Sequence, residues 1–172
     1  VARDHDCAIR VGVNGGILRV GHNSALGTGT LTLTAGQLSS SSTTGYTLAN
    51  ALVLAGPVTL GDAVNTGELT FTTDIDLGAV DRTFTTASGI TFAGVVSNGG
   101  LIKEGSATLT LSGANTFAGA TAVNAGTLAT VGNQVLGPTS SVTVTTGATL
   151  ALWRFAQDSA AMLRRWPWQS ND

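Results

Sequence analysis

Charge is scarce in this chain. Asp, Glu, Lys and Arg together make up 10% of its 172 residues, against ~25% in ordinary soluble domains. Such scarcity accompanies disorder or membrane insertion, yet neither fits. Disordered chains combine low hydrophobicity with high net charge, whereas this one is 42% hydrophobic with a net charge of −2. A membrane helix needs ~20 unbroken apolar residues, and the longest apolar runs, such as residues 51–55, are strand-length. With so little charge and no Lys/Arg cluster in the β-rich region, nucleic acid is not an expected partner. Cysteine is nearly absent. Cys7 is the only one, which excludes an internal disulfide. Proline occurs three times and aromatics form 5% of the chain. The first residue is Val1, not Met, and no signal peptide opens the chain, so it reads as a fragment or a processed piece.

What fills the chain instead is Thr, Val, Leu, Ala, Ser and 23 glycines. β-Branched residues suit a pleated surface, and glycine supplies turns that need positive φ. The composition predicts an almost purely β protein.

Internal repetition is the strongest signal. Residues 14–38, NGGILRVGHNSALGTGTLTLTAGQL, align with 124–150, NAGTLATVGNQVLGPTSSVTVTTGATL. Asn14, Gly16 and Leu18 meet Asn124, Gly126 and Leu128. Leu26-Gly27 meets Leu136-Gly137, Leu31 and Leu33 meet Val142 and Val144, and Leu38 meets Leu150. Within and between the copies runs a shorter word, apolar–polar–apolar: TLTLT at 30–34, LVL at 52–54, LTFTT at 69–73, ITF at 90–92, TLTL at 108–111 and VTV at 142–144. Alternation of this kind marks strands with one buried face. Turn chemistry separates the words, as at Gly56-Pro57, Gly61-Asp62 and Asn98-Gly99-Gly100.

A hairpin meander would place strands every ~8–12 residues. Recurrence near 20 residues suits one winding of a coil with three short strands, each winding stacked on the next at ~4.8 Å. The fold class expected is all-β: a parallel β-helix, or β-solenoid, of roughly seven turns over residues 10–152. Leu, Val, Ile and Phe would fill the bore, and Thr and Ser would form ladders outside. Phe71, Phe84, Phe92 and Phe117 are expected among the bore fillers, and Leu109 and Leu111 are expected to point inward.

The run Lys103-Glu104-Gly105, TLTLSGANTF at 108–117 and AVNAGTL at 122–128 resembles the β-strand repeat of bacterial autotransporter passenger domains, the passenger-associated transport repeat. That repeat reads approximately G-x-L-x-K-x-G-x-G-T-L-T-L-S-G-x-N-x-Y-x-G-x-T-x-V-x-x-G-x-L. The matching positions are Lys103, Gly105, Thr108, Leu109, Thr110, Leu111, Ser112, Gly113, Asn115, Phe117, Gly119, Thr121, Val123, Gly126 and Leu128, all expected to be structural. The likeness is specific over 99–152 and partial over 14–38. Ser106-Ala107, Phe117 (for Tyr), Ala118 and Ala120 depart from the pattern. The resemblance implies a right-handed parallel β-helix on the surface of a Gram-negative bacterium or secreted from it. It also implies partners: adjoining coils and a C-terminal membrane β-barrel in the parent protein, and for an adhesin a host protein or glycan.

Two segments are off-pattern. Residues 1–9, VARDHDCAI, read as a scar or cap. The tail 153–172, WRFAQDSAAMLRRWPWQSND, holds all three Trp and the only Met. Phe155, Ser159, Met162 and Trp166 would share one helical face, with Pro167 ending the helix. A cap, a truncated or frame-shifted end, a flexible end and a membrane-surface helix all remain open.

Candidates for chemistry are few. Asp74 and Asp76 lie two apart and share a face. Paired carboxylates serve glycan-cleaving enzymes or Ca²⁺, and a solvated outer face is the plainer reading. Asp62, Glu68 and Asp81 lie within a coil of them in sequence, and Arg82 is the nearest cation. His5, Asp6 and Cys7 are metal-ligand types without the paired spacing of a zinc site. Gly27-Thr28-Gly29 lacks the third glycine and the helix of a phosphate-binding loop. Asn115 and Asn124 are expected to satisfy backbone groups in turns. No cofactor, metal or catalytic residue is expected. The expected function is a non-enzymatic stalk section, with an adhesin module as the alternative and a carbohydrate-active enzyme as the third reading.

Overall fold

Sixteen parallel-paired strands wind into a β-solenoid in the computed structural model, which describes residues 10–131, 136–139 and 141–153. No helix occurs among these residues. The off-pattern residues 1–9 and the expected helical face at Phe155, Ser159, Met162 and Trp166 lie outside them.

Each winding has three sides. The first winding is opened by β1 (Val11–Val20), which bends across two sides, and its third side is residues 22–29. The second contains β2 (Leu31–Ser40), likewise bent, and β3 (Tyr46–Leu48). The third contains β4 (Leu52–Leu54), β5 (Val58–Leu60) and β6 (Leu69–Phe71). The fourth contains β7 (Ile75–Asp76), β8 (Asp81–Thr86) and β9 (Ile90–Phe92). The fifth contains β10 (Val96–Ser97), β11 (Gly100–Glu104) and β12 (Thr108–Leu111). In the sixth, the first side is a short stretch tied to Val96 through the amide of Thr116, followed by β13 (Thr121–Val123) and β14 (Thr127–Val131). The seventh contains β15 (Val142–Val144) and β16 (Thr149–Trp153).

Register runs vertically. On the first side Leu31, Leu52, Ile75 and Val96 are successive Cα partners. On the third side the column is Tyr46, Leu69, Ile90, Leu109, Leu128 and Leu150. Beside it runs Leu48, Phe71, Phe92 and Leu111. These inward columns are buried from the third to the sixth winding, and Leu109 and Leu111 are both fully covered. Phe71, Phe84, Phe92 and Phe117 all lie in the bore. Phe92 meets Phe71 and Phe84 edge-on, with ring centroids 5.6 and 5.2 Å apart, the geometry that the ring quadrupole favours. Between the inward columns of the third side, Thr47, Thr70, Thr91 and Thr110 form the expected outer threonine row.

All six words singled out in the sequence contain a strand, but the two long copies do not share a side. Leu18 pairs with Leu38 on the second side, whereas its sequence counterpart Leu128 pairs with Leu109 on the third. Leu31 and Leu33 lie on the first side, and Val142 and Val144 lie on the second. The copies are displaced by one side throughout. The physical reason is that all three sides use the same period-2 word, and a word that buries alternate residues fits any of them.

The corners are tight. A β-carbon on Gly113 would stand 2.1 Å from the carbonyl oxygen of Gly94 in the winding below, so windings stack closely only where no side chain intervenes. Asn50 shows how a corner is satisfied internally. It is buried, and its Nδ2 donates to the carbonyls of Leu26, Gly27 and Gly29 in the preceding winding.

Candidate functional site

The structure separates the candidate residues into two groups. The first is the pair of acids. Asp74 and Asp76 flank buried Ile75 and are both exposed. Each is occupied by backbone or amide donors. Asp74 Oδ1 accepts from the Val95 amide at 2.8 Å, across to the next winding. Asp76 Oδ1 accepts from the Gly78 amide at 2.8 Å and from Asn98 Nδ2 at 2.9 Å. The Asn98 amide, then the Gly78 N–H, hold the Asp76 carboxyl below the usual carboxylate range. A carboxylate stabilised in its charged form is a poor proton donor.

The nearby acids do not converge on the pair. Asp62 bonds Arg19 Nη2 at 2.8 Å, tying the third winding to the first, and also accepts from the amide of Val64. Arg19, then the Val64 amide, hold its carboxyl down to about 2. Glu68 accepts from the Thr91 hydroxyl. Arg82 Nε donates to the Leu77 carbonyl. Among the described residues no group of three or more His, Cys, Asp or Glu side chains is placed to hold a metal ion. His5, Asp6 and Cys7 lie outside the described residues. The Gly27-Thr28-Gly29 segment is part of the turn that closes the first winding.

The second group is the corner between the second and third sides in the fifth and sixth windings. It contains the single lysine of the chain. Lys103 stands in an inward column between Phe84 below and Val123 above, and it is 0% exposed. Its Nζ donates to the carbonyls of Glu104 at 2.8 Å, Gly105 at 2.8 Å and Ala125 at 3.1 Å. An ammonium has three N–H donors, and all three are used. Gly105 makes this possible with φ of +78°, a backbone conformation open mainly to glycine. Burial lowers the ammonium from 10.5 to about 8, with the Glu104 charge acting in the opposite direction.

Other residues of this segment also make contacts within and between windings. Asn115 is buried, and its Oδ1 accepts from the Val96 amide at 2.8 Å. Asn124 bridges neighbours on the outside, donating from Nδ2 to Glu104 and accepting at Oδ1 from the Thr145 hydroxyl. Buried Thr121 meets Thr139 through their hydroxyls. Val123 and Leu128 are fully buried, while Ser112 faces solvent. Sequence reasoning placed Lys103 in the pattern without finding its role. The signal was present: Leu101 is inward, and Lys103 lies two residues on, just before a glycine corner.

Comparison with known families decides what this corner belongs to. Residues 101–129 match the passenger-associated-transport-repeat family. The match covers parts of the fifth and sixth windings, and Lys103 and its three acceptor carbonyls all fall inside it. No curated protein and no solved structure matches the chain. A transport-repeat segment set within a parallel β-solenoid fits the stalk of an autotransporter passenger.

Proposed function

We propose that the chain is a non-enzymatic stalk section of an autotransporter passenger, secreted or displayed on a Gram-negative surface. The supporting observation is the continuity of the passenger-repeat segment with its neighbours: its columns extend from the second-winding Tyr46 to the seventh-winding Leu150 without a break in pairing. Such a coil transmits length. Seven windings at ~4.8 Å give a reach of roughly 35 Å. The bore is filled by side chains rather than opened as a channel, and the Asp74 and Asp76 carboxylates serve inter-winding and turn contacts.

The test places the chain between an epitope and an outer-membrane barrel. The epitope should stand about 35 Å farther from the membrane than in a version lacking the chain, measured by energy transfer to a membrane dye. An unchanged distance, or retention in the periplasm, would sink the stalk reading.

An adhesive module is the second reading. It draws on the uncharged threonine row on the third side and on the loop after β5, where Val64 is 79% exposed. Specific binding to immobilised matrix proteins or a glycan array, lost on denaturation, would favour it. The glycan-cleaving reading requires that Asp74→Asn with Asp76→Asn abolish a measurable turnover.

A further inference from the structure

The three-sided word leaves a problem for folding that apolar burial does not solve. On the second side, β11 presents Leu101 and Lys103 inward, and β13 presents Thr121 and Val123. A one-residue slip between these strands would turn the inward residues out and is strongly opposed. A two-residue slip keeps the alternation. It would pair Ile102 with Ala120 in place of Ala122, with small or apolar groups still meeting the same bore.

Lys103 responds differently to that slip. Two of its acceptors, Glu104 and Gly105, belong to its own winding, but the third, Ala125, belongs to the next. Moving β13 by two residues displaces the Ala125 carbonyl by ~6.6 Å. A buried ammonium donor would then lose its partner, which is far more costly than exchanging one apolar contact for another. We propose that Lys103 is a register staple: its ammonium, bridging carbonyls of the fifth and sixth windings, selects one alignment of the coil among those that hydrophobic burial leaves equivalent.

The surrounding charges do not supply this contact. Glu104 is the ionisable neighbour on β11, and its carboxylate accepts from Asn124. The flanking β8 carries Asp81 and Arg82, paired with Gly100 and Leu101 toward the far end of β11. β13 carries no ionisable residue. Deprotonation leaves two donors for three carbonyls, and it relieves a slipped, unpaired ammonium more than the native one. Selectivity for the native register should therefore narrow as pH rises through about 8.

The test uses the full chain with Cys7→Ser as background. Directly stacked Cα atoms, ~4.8 Å apart, fall within the disulfide range of 4.4–6.8 Å, whereas diagonal pairs at ~8 Å do not. Ile102→Cys with Ala122→Cys therefore reports the native register, and Ile102→Cys with Ala120→Cys reports the slipped one. With Lys103 present, the native pair should close at least tenfold faster on refolding. With Lys103→Met, the preference should fall to within about twofold. Persistence of the tenfold preference in Lys103→Met overturns the staple. Should Lys103→Met fail to fold, amine labelling of the folded Lys103 chain keeps the proposal falsifiable. The sole lysine side chain should label at least a hundredfold more slowly than in denaturant, and labelling at the denatured rate overturns it.

Discussion

The fifth and seventh windings are written in nearly the same words and behave differently. TLTL in β12 buries Leu109 and Leu111 completely, whereas VTV in β15 leaves Val142 and Val144 43% and 44% exposed. Leu152 in β16 is 62% exposed, although Leu111, two windings below it in the same column, is 0%. Burial in a coil is conferred by the winding above as much as by the residue, because each winding contacts only its neighbours and stability is a sum over interfaces.

The sharpest way to test that contrast is to place a charge at each position. Leu111→Asp buries an unpaired carboxylate and is expected to cost about 3–5 kcal/mol. Val144→Asp should cost under about 1 kcal/mol, since its side chain already reaches water. Urea unfolding of both variants measures the gap, and equal losses would show that the seventh winding is covered after all.

A smaller effect concerns Lys103, which belongs only to the interior windings. Its folded value of about 8 lies below the ordinary 10.5. In that window the unfolded chain binds the proton and the folded chain does not. Stability therefore rises with pH from about 8 to 10.5, by roughly 1–3 kcal/mol, and is flat below 8 as far as this group is concerned. Lys103→Met should remove the rise in urea unfolding repeated across that range. Packing between interior windings gives an effect of similar or slightly lesser size. Gly113→Ala drives a β-carbon toward the Gly94 carbonyl and should cost about 1–2 kcal/mol. Gly12→Ala meets nothing within 4 Å and should change the melting temperature by a degree or two at most.

The smallest expected change is at the first described winding. Arg19 and Asp62 tie the first winding to the third, and Asp62 titrates near 2 against an ordinary 3.8. Its contribution is present above 3.8 and disappears as pH falls through about 2. Asp62→Asn should therefore flatten a shallow decline in melting temperature between pH 4 and 2, and added salt should shrink the difference because the Arg19 side of the pair is exposed.

Much of this was legible in the linear chain. Period-2 words and their spacing near 20 residues indicate a coil, and the same alternation points Leu109 and Leu111 inward, with the four phenylalanines as bore fillers. The match at 101–129 agrees with the resemblance read from Lys103-Glu104-Gly105 and the TLTLSGANTF run. The carboxylates at Asp74 and Asp76 were seen to share a face, but their partners at Val95, Gly78 and Asn98 depend on turns and on the next winding. The capping role of Asn50 was not anticipated, because its three acceptor carbonyls lie 21–24 residues earlier.

By itself, then, the sequence determined which residues alternate, where the chain turns, and that the turns add up to stacked windings. Alternation is a local property of backbone and side-chain size. Only the tertiary structure decided which of three sides each word occupies, which words are covered, and that the single lysine faces inward onto carbonyls of two windings. Those outcomes depend on the neighbour above and below, roughly 20 residues away along the chain, and interchangeable words carry no mark of which neighbour they will meet.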